Sequence, residues 1–391
     1  MNEEPSKRSG WLNIVALGFV SFFTDISTEM ILGVLPVFLV EELKASRVIL
    51  GFVDGLADAL NYLLRIFSGI ISDKLGVRKK VVLLGYAISN IAKPLFAFAQ
   101  TWYDVLIIRI LDRMGKGVRT SARDALITES VSDKSIGKAF GVHRALDQLG
   151  AILGPVMASL IMPLIGIRGL FLVSFIPGIM ALLVLIFLVK EVRRIKPKRG
   201  PILEAIRDVL TKPFTLFLLA VGTFMIGSYS FSFILLRSRM VGAIVEIVPL
   251  FYAVINVTHT LVAIPSGYLS DRLGATKTLI IGYLFFTLSS LLSIYADNIP
   301  LVIIVSLIYG LYMGITETVH RAAISLYSPS QLRGTAYGLL YIVIGTTSLI
   351  SNLVFGLLWD IYGYSFAFTY STIISIIGAL LMFIASTQIK K

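Results

Sequence analysis

Long apolar segments separated by short polar ones dominate the chain. The apolar runs fall near residues 12–40, 48–72, 81–100, 103–126, 137–162 and 168–189, and again near 213–236, 247–270, 277–296, 300–325, 335–358 and 364–386. Most are about as long as the roughly 20 residues that a helix needs to cross a bilayer. Because lipid offers no partner to an open backbone, such runs predict helices rather than isolated strands. The pattern therefore predicts twelve membrane-spanning helices.

A short charged sequence between the second and third runs recurs in the second half of the chain. It begins at Gly69 as GIISDKLGVRKK, and a related sequence, GYLSDRLGATK, begins at Gly267, 198 residues later. A second pair, GKAFG at Gly137 and GTAYG at Gly334, keeps nearly the same offset of 197. A repeat of this length indicates that one half of the chain is a diverged copy of the other.

The repeated sequence resembles the signature between helices 2 and 3 of the major facilitator superfamily of transporters. The first copy matches every defined position, whereas the second has Ala275 and Thr276 where basic residues could stand. The matching residues that we consider for cytoplasmic gates are Gly69, Asp73, Gly76 and Arg78, with Gly267, Asp271, Arg272 and Gly274. The resemblance implies an all-α membrane protein with twelve helices in two pseudo-symmetric six-helix bundles. These bundles are residues 1–189 and 213–391, joined by a basic cytoplasmic linker at 190–212.

Composition and charge placement agree with a membrane protein. Only 15% of the residues are charged, against about 25% in an ordinary soluble domain. The net charge is +12, and in alternate loops 22 Lys and Arg residues fall on one side against 5 on the other. Because basic loops stay in the cytoplasm, we expect a multi-pass protein of the cell membrane with both termini cytoplasmic. This placement explains the excess of positive charge without a nucleic-acid partner.

Several classes of function are excluded by what the sequence lacks. It contains no cysteine, so disulfides, thiolate metal sites and thiol catalysis are excluded. No His-Glu-x-x-His motif, nucleophile elbow or nucleotide-binding domain is present, which argues against an enzyme or an ATP-driven pump. We therefore expect neither a cofactor nor a metal centre. A receptor that binds a ligand without moving it remains an alternative, which a flux assay would distinguish.

Ionisable residues inside the apolar runs are the candidate functional groups, because charges in hydrocarbon are costly unless they are paired or hydrated. Asp25 and Glu29 lie four residues apart and therefore on one face of the first helix. The other candidates, expected to line a substrate cavity, are Asp54, Asp58, Arg65, Arg109, Asp112, Arg113, Asp147, Glu317 and Arg321. The alternative is a set of internal ion pairs that hold helices together, such as Arg65 or Arg113 with Asp54, Asp58 or Asp147.

Asp25 and Glu29 have no basic residue within their own helix. A carboxyl group in a cavity of low dielectric constant is easier to protonate, so these two residues could exchange protons with solvent. They could equally neutralise a cationic substrate. We expect them to carry proton or cation binding.

Two further features follow from the resemblance. Gly150, Gly154 and Pro155 are similar to a helix 5 motif of drug-efflux antiporters, although close helix packing explains them equally well. Asp73 is expected to cap helix 11 in the opposite half, and Arg78 to hold Asp73 or Asp124, so that these contacts latch one state of the transport cycle.

Together these observations predict a monomeric secondary transporter whose partners are a small-molecule substrate, protons and the lipid bilayer. Proton-coupled export of a cationic or amphipathic compound is the first hypothesis. Uptake of an organic anion, which the arginine-rich fourth helix would suit, is the second. Export of a metal cation is a narrower variant.

Overall fold

The protein is all-helical wherever its structure is described. The computed structural model describes residues 7–75, 77–132, 135–192, 207–328 and 332–388, and of residues 7–9 and 66–75 it describes the backbone alone. All regular structure in these ranges is helical.

Within the described residues, twelve long helices follow one another in the order that the apolar runs predict. The first six are α1 (Lys7–Leu32), α2 (Arg47–Leu75), α3 (Arg78–Ala92), α4 (Trp102–Ser130), α5 (Ile136–Val173) and α6 (Phe175–Phe187). The second six are α7 (Lys212–Gly227), α8 (Val248–Leu273), α9 (Ala275–Tyr295), α10 (Ile299–Tyr327), α11 (Arg333–Tyr362) and α12 (Tyr364–Thr387). Short π and 3₁₀ segments, Phe38–Glu42 and Lys93–Phe98, follow α1 and α3, and α7 resumes after a break as Ser232–Met240.

The lengths and compositions of these helices agree with a membrane fold. Nine stretches in the described ranges combine the length and the apolar composition of a membrane span. One of them, Ile136–Phe187, is 52 residues long and contains both α5 and α6, with non-helical backbone at Gly166. The helices α2 and α4 are 29 residues each and are richer in charged side chains than those stretches. The predicted twelve-helix membrane fold is confirmed.

The helices form two compact units with matching internal packing. Unit 1 comprises residues 1–38 and 60–198, and unit 2 comprises residues 39–59 and 199–391. In unit 1, α1 packs on α5 and α6, and α3 packs on α4 and α6. In unit 2, α7 packs on α11 and α12, and α9 packs on α10 and α12. Each pairing in the first half therefore has its counterpart six helices later, as the sequence repeat predicts.

Glycines allow the closest of these helix contacts. A Cβ atom at Gly150 or Gly154 of α5 would overlap the carbonyl oxygens of Phe22 and Ile26 on α1. A Cβ atom at Gly314 of α10 would overlap the backbone of α8 in the same way. Small residues are what lets two backbones approach this closely in a membrane. The stretch from Gly150 to Gly154 thus brings the polar residues of α1 and α5 together.

Two turns between helices require glycine for a different reason. Gly274 ends α8 with φ 91° and Gly363 ends α11 with φ 86°. This left-handed region is costly for residues with a Cβ atom but open to glycine. Each glycine stands three residues after an aspartate and seven after another glycine, as Gly267, Asp271 and Gly274 in one case and Gly356, Asp360 and Gly363 in the other.

Candidate functional site

Two carboxyl groups meet where α1 packs on α5. The side chain of Asp25 on α1 is close enough to that of Asp147 on α5 for the two carboxyl groups to interact electrostatically, and Asp147 is only 8% exposed. Two carboxylates that lie close together repel each other, so the arrangement favours a proton on one of the two groups. Asp25 retains partial exposure. The site therefore combines two neighbouring carboxyl groups with partial exposure of one of them.

Charged and polar groups surround this carboxyl pair. Arg144, one turn before Asp147 on α5, donates to its carboxylate at 3.0 Å, and its side chain is 46% exposed. His143 is buried and hydrogen-bonds through Nε2 to the Ser21 hydroxyl at 2.9 Å. Ser21 in turn contacts the Tyr86 hydroxyl at 3.0 Å. A chain of polar groups thus links α5, α1 and α3 beside the pair.

Glu29 lies one turn after Asp25 and is buried at 8% exposure. Its Oε2 atom has no hydrogen-bond partner within the described part of the chain. Lys116 of α4 is close enough to both carboxyl groups of α1 to interact with them electrostatically. Asp25 and Glu29, one turn apart on α1, thus share a basic neighbour on α4.

Asp112 is the centre of a buried cluster on α4. It accepts a hydrogen bond from Ser89 at 2.6 Å and lies 3.4 Å from Arg109 and 3.8 Å from Arg113. All three charged side chains are at most 7% exposed. Arg113, which the sequence suggested could pair with Asp54, Asp58 or Asp147, thus has an ion-pair partner on its own helix. Asp147 is likewise paired within α5.

Lys93 is a buried basic residue that the sequence analysis did not select. It is 1% exposed, and its Nζ atom donates to the Thr24 carbonyl oxygen at 3.2 Å and to Asn90 Oδ1 at 2.8 Å. It lies near Asp25, Glu29 and Asp112. A single lysine within the apolar run 81–100 was the signal that could have identified it.

Arg119 completes the basic groups on this face of α4. It is 3% exposed, and its guanidinium lies 4.3 Å from the centre of the Tyr86 ring. Such a cation–π contact stabilises a buried guanidinium without removing its charge. Its Nη1 atom has no hydrogen-bond partner among the residues with described side chains.

Of the candidate residues on α2, Asp54 and Asp58 belong to unit 2 and Arg65 belongs to unit 1. In unit 2, Asp54 is buried and accepts hydrogen bonds from the hydroxyls of Ser230, at 2.8 Å, and Ser232, where α7 is interrupted. Asp58 is partly exposed. In unit 1, the Arg65 guanidinium lies 5.3 Å from the centre of the Tyr62 ring.

A second titratable group joins α8 and α10 in unit 2. Glu317 lies 3.0 Å from His259 Nε2 and 2.9 Å from Arg321, which is 49% exposed. His320, one position before Arg321, is buried and hydrogen-bonds to the Tyr283 hydroxyl at 3.0 Å. Glu317 and Arg321 are thus ion-paired to each other, while His320 belongs to the packing of α9 on α10.

Only some of the residues that are predicted to form the cytoplasmic gates lie in the described part of the structure. Gly76 and the side chain of Asp73 lie outside the described residues, and of Gly69 only the backbone is described. Arg78 Nη2 donates to Glu129 at 3.2 Å, and its backbone amide donates to Glu191 at 2.9 Å, whereas Asp124 accepts two hydrogen bonds from Arg123. In the second copy, Asp271 and Arg272 are exposed.

A further copy of the Gly-x-x-x-Asp-x-x-Gly pattern, beyond the two recognised from the sequence, lies at the end of α11. Its aspartate, Asp360, accepts hydrogen bonds from the first backbone amides of α2, those of Arg47 at 3.1 Å and Val48 at 2.9 Å. This is the capping role that the resemblance implied for Asp73 at the opposite ends of the same two helices. A search for the glycine and aspartate spacing alone, without the basic residues, would have found it.

The described side chains give no support to a metal site. No group of three or more histidine, aspartate or glutamate residues in the described ranges has the spacing to hold a metal ion. Asp112 and Asp147 are instead paired with arginine side chains, and Asp112 also accepts a hydrogen bond from Ser89.

Comparison with known proteins identifies the family. A family model, the Major Facilitator Superfamily, matches residues 17–258 and 240–390. An uncharacterised MFS-type transporter of Methanocaldococcus jannaschii is 35% identical over 381 residues, which cover 95% of this chain and 94% of that protein. The multidrug resistance protein MdtG of Proteus mirabilis is 28% identical over 296 residues, 72% of either chain.

A solved structure shows the same fold at low sequence identity. A mutant of the nucleoside transporter NupG superimposes with a TM-score of 0.82 at 16% identity, covering 97% of this chain and all of that one. Together with the twelve helices and the repeated halves, these matches decide the class of protein. The chain belongs to the Major Facilitator Superfamily and is a multi-pass membrane transporter, not an enzyme.

Proposed function

We propose that this transporter is driven by protons, with the Asp25–Asp147 pair as the group that binds and releases the proton. The proximity of the two carboxyl groups, where α1 packs on α5, is the observation that carries the proposal. Two carboxylates this close cannot both be ionised without strong repulsion, so the pair holds one proton and can lose it.

The surroundings of the pair support both of its protonation states. Lys116 faces Asp25, and Arg144 is hydrogen-bonded to Asp147, so two positive charges would stabilise the pair after the proton leaves. Asp25 is partly exposed, and the Arg144 side chain is 46% exposed. A site that takes up and releases a proton needs positive groups that stabilise its deprotonated state and exposure through which the proton enters and leaves.

The direction of transport has two candidates, each with its own support. Export by antiport of a cationic or amphipathic compound is favoured by relatives such as the multidrug resistance protein of Proteus mirabilis. Uptake of an organic anion together with a proton is favoured by the basic residues of α4, Arg109, Arg113, Lys116 and Arg119. Metal export has no supporting cluster in the described structure.

Proton coupling can be tested with purified protein in liposomes that contain a pH-sensitive dye. A pH gradient is imposed, and organic cations, divalent metals, sugars and carboxylates are added in turn. We expect one class to discharge the gradient, and Asp25→Asn to abolish that discharge.

The matched control is Asp297→Asn, which removes an exposed carboxylate distant in sequence from the pair and should leave the discharge unchanged. If Asp25→Asn transports protons at the wild-type rate, the carboxyl pair is not the coupling site and the proposal fails.

A further inference from the structure

Three basic side chains lie beside the acidic face of α1 without forming an ion pair with any described side chain. They are Lys93, which follows α3, and Lys116 and Arg119 of α4. Each of them is close enough to Asp25 to interact with it electrostatically. Because a charge inside a membrane is costly unless it is compensated, all three favour an ionised Asp25.

Of these three groups, Lys93 is joined directly to α1. Its Nζ atom donates to the Thr24 carbonyl oxygen at 3.2 Å and to Asn90 Oδ1 at 2.8 Å, and Asn90 Nδ2 donates to the Thr24 hydroxyl at 3.3 Å. Thr24 is the residue immediately before Asp25. Both acceptors of the ammonium group are neutral, so these hydrogen bonds fix Lys93 beside Asp25 without neutralising its charge.

The other two basic groups are placed less favourably to act on Asp25. Lys116 is partly exposed, so water screens its charge. The Arg119 guanidinium lies 4.3 Å from the centre of the Tyr86 ring, which already stabilises it. Lys93 is 1% exposed, and a charge acts most strongly where the dielectric constant is low.

The charged groups that surround Lys93 leave the acids of α1 as its partners. Those that face it are Asp25 and Glu29 of α1 and Asp112 and Arg119 of α4. Asp112 has two arginines beside it on its own helix, whereas within the described residues neither acid of α1 forms an ion pair with an arginine. From α5, Arg168 reaches the same segment but donates to the carbonyl oxygens of Ala97 and Ala99. The helix α6, which packs on α3, has no ionisable residue.

We propose that Lys93 is the counter-charge of the coupling site, whose ammonium group stabilises ionised Asp25 once the Asp25–Asp147 pair has lost its proton. This inference rests on the proton coupling proposed above and adds to it a residue outside the carboxyl pair. Lys93 acts through Asp25 and is therefore a positioning residue. Without its positive charge, the pair should keep its proton under conditions in which the wild-type pair has lost it.

Infrared difference spectroscopy of the protein in lipid tests this assignment. A protonated carboxyl group gives a carbonyl band, and Asp25→Asn identifies the band of the pair. The pH is raised until this band has disappeared from the wild type, and the variants are measured at that pH. Lys93→Gln keeps hydrogen-bond donors but no charge, and we expect it to retain most of the band. Lys93→Arg keeps the charge and should have lost the band, as should Lys277→Gln, which removes an exposed lysine.

The possible outcomes separate a role of the charge from a role in packing. Lys93→Met serves as a second uncharged variant if Lys93→Gln does not fold. If the uncharged variant loses the band at the same pH as the wild type, Lys93 is not the counter-charge. Retention of the band in both Lys93→Gln and Lys93→Arg would also overturn the inference, because the charge would then not be the cause.

The same spectra distinguish failure of this inference from failure of the proton coupling. A band that Asp25→Asn removes and Lys93→Gln leaves unchanged would overturn this inference alone. A carbonyl band that neither substitution alters would overturn both the inference and the coupling role of the carboxyl pair.

Discussion

The side chains of Asp25 and Asp147, 122 residues apart in sequence, lie close enough to interact electrostatically where α1 packs on α5. The contact exists because Gly150 and Gly154 let α5 approach the backbone of α1. The same glycines that resemble an efflux motif thus bring the two carboxyl groups together. The packing explanation and the functional explanation of that motif are parts of one arrangement.

The shared proton should be visible without any substrate. A protonated carboxyl group absorbs as a carbonyl band in the infrared, separate from carboxylates. We expect a band that disappears as the pH is raised in the wild type, and that is altered in both Asp25→Asn and Asp147→Asn. Difference spectra of the protein in lipid would measure it, with Asp297→Asn as the exposed control. If neither substitution alters the carbonyl band, the proton is not on the Asp25–Asp147 pair.

Asp112→Asn should destabilise the protein strongly. The substitution leaves Arg109 and Arg113 without their shared carboxylate in a buried site, and breaking a buried ion pair costs about 3–5 kcal/mol. Ser89→Ala removes only one hydrogen bond to the same carboxylate and should cost about 1 kcal/mol. Thermal unfolding followed by tryptophan fluorescence would compare the two. Equal melting temperatures for the two variants would show that Asp112 does not hold the arginines.

Gly154→Leu should disrupt the packing of α5 on α1. The new side chain would overlap the Ile26 carbonyl oxygen and the Glu29 side chain, and overpacking a tight contact costs about 1–3 kcal/mol. Gly141→Leu on the same helix is the matched control, since Gly141 has no neighbour within 4 Å of an added Cβ atom. After heating, size-exclusion chromatography should show that the folded Gly154→Leu variant is lost and that the folded Gly141→Leu variant remains. If equal amounts of both folded variants remain, α5 does not approach α1 this closely.

Asp360→Ala should weaken the start of α2. The carboxylate caps the amides of Arg47 and Val48, and loss of an N-cap side chain costs about 1 kcal/mol. Asp360→Asn keeps an accepting oxygen and should lose less. Melting temperatures of the two variants would give the comparison. If the alanine variant is as stable as the wild type, the capping interaction contributes nothing to the fold.

The fold was predictable from sequence because its signals are local. Twelve apolar runs and one repeated motif need no knowledge of contacts, and the same holds for the face shared by Asp25 and Glu29. The partners of the charges were not predictable, because they depend on how helices pack. Asp54 accepts hydrogen bonds from two serines at the break of α7, more than 170 residues away, and Arg113 lies 3.8 Å from Asp112 on its own helix. Lys93 was overlooked although the rule that selected Asp25 applies equally to it.

The pattern that ends α11 has the glycines and the aspartate of the family motif but not its basic residues, so the two parts of the motif can be considered separately. Its copy at the end of α8 lies three helices earlier, and an odd number of crossings puts the two turns on opposite faces of the membrane. Both copies keep the glycines and the aspartate, but Asp360 is followed by Ile361 and Tyr362 where Asp271 is followed by Arg272. The shape of the turn therefore depends on the glycines and the aspartate, which both turns keep. The basic residue after the aspartate is a separate feature, because only the turn at the end of α8 carries it.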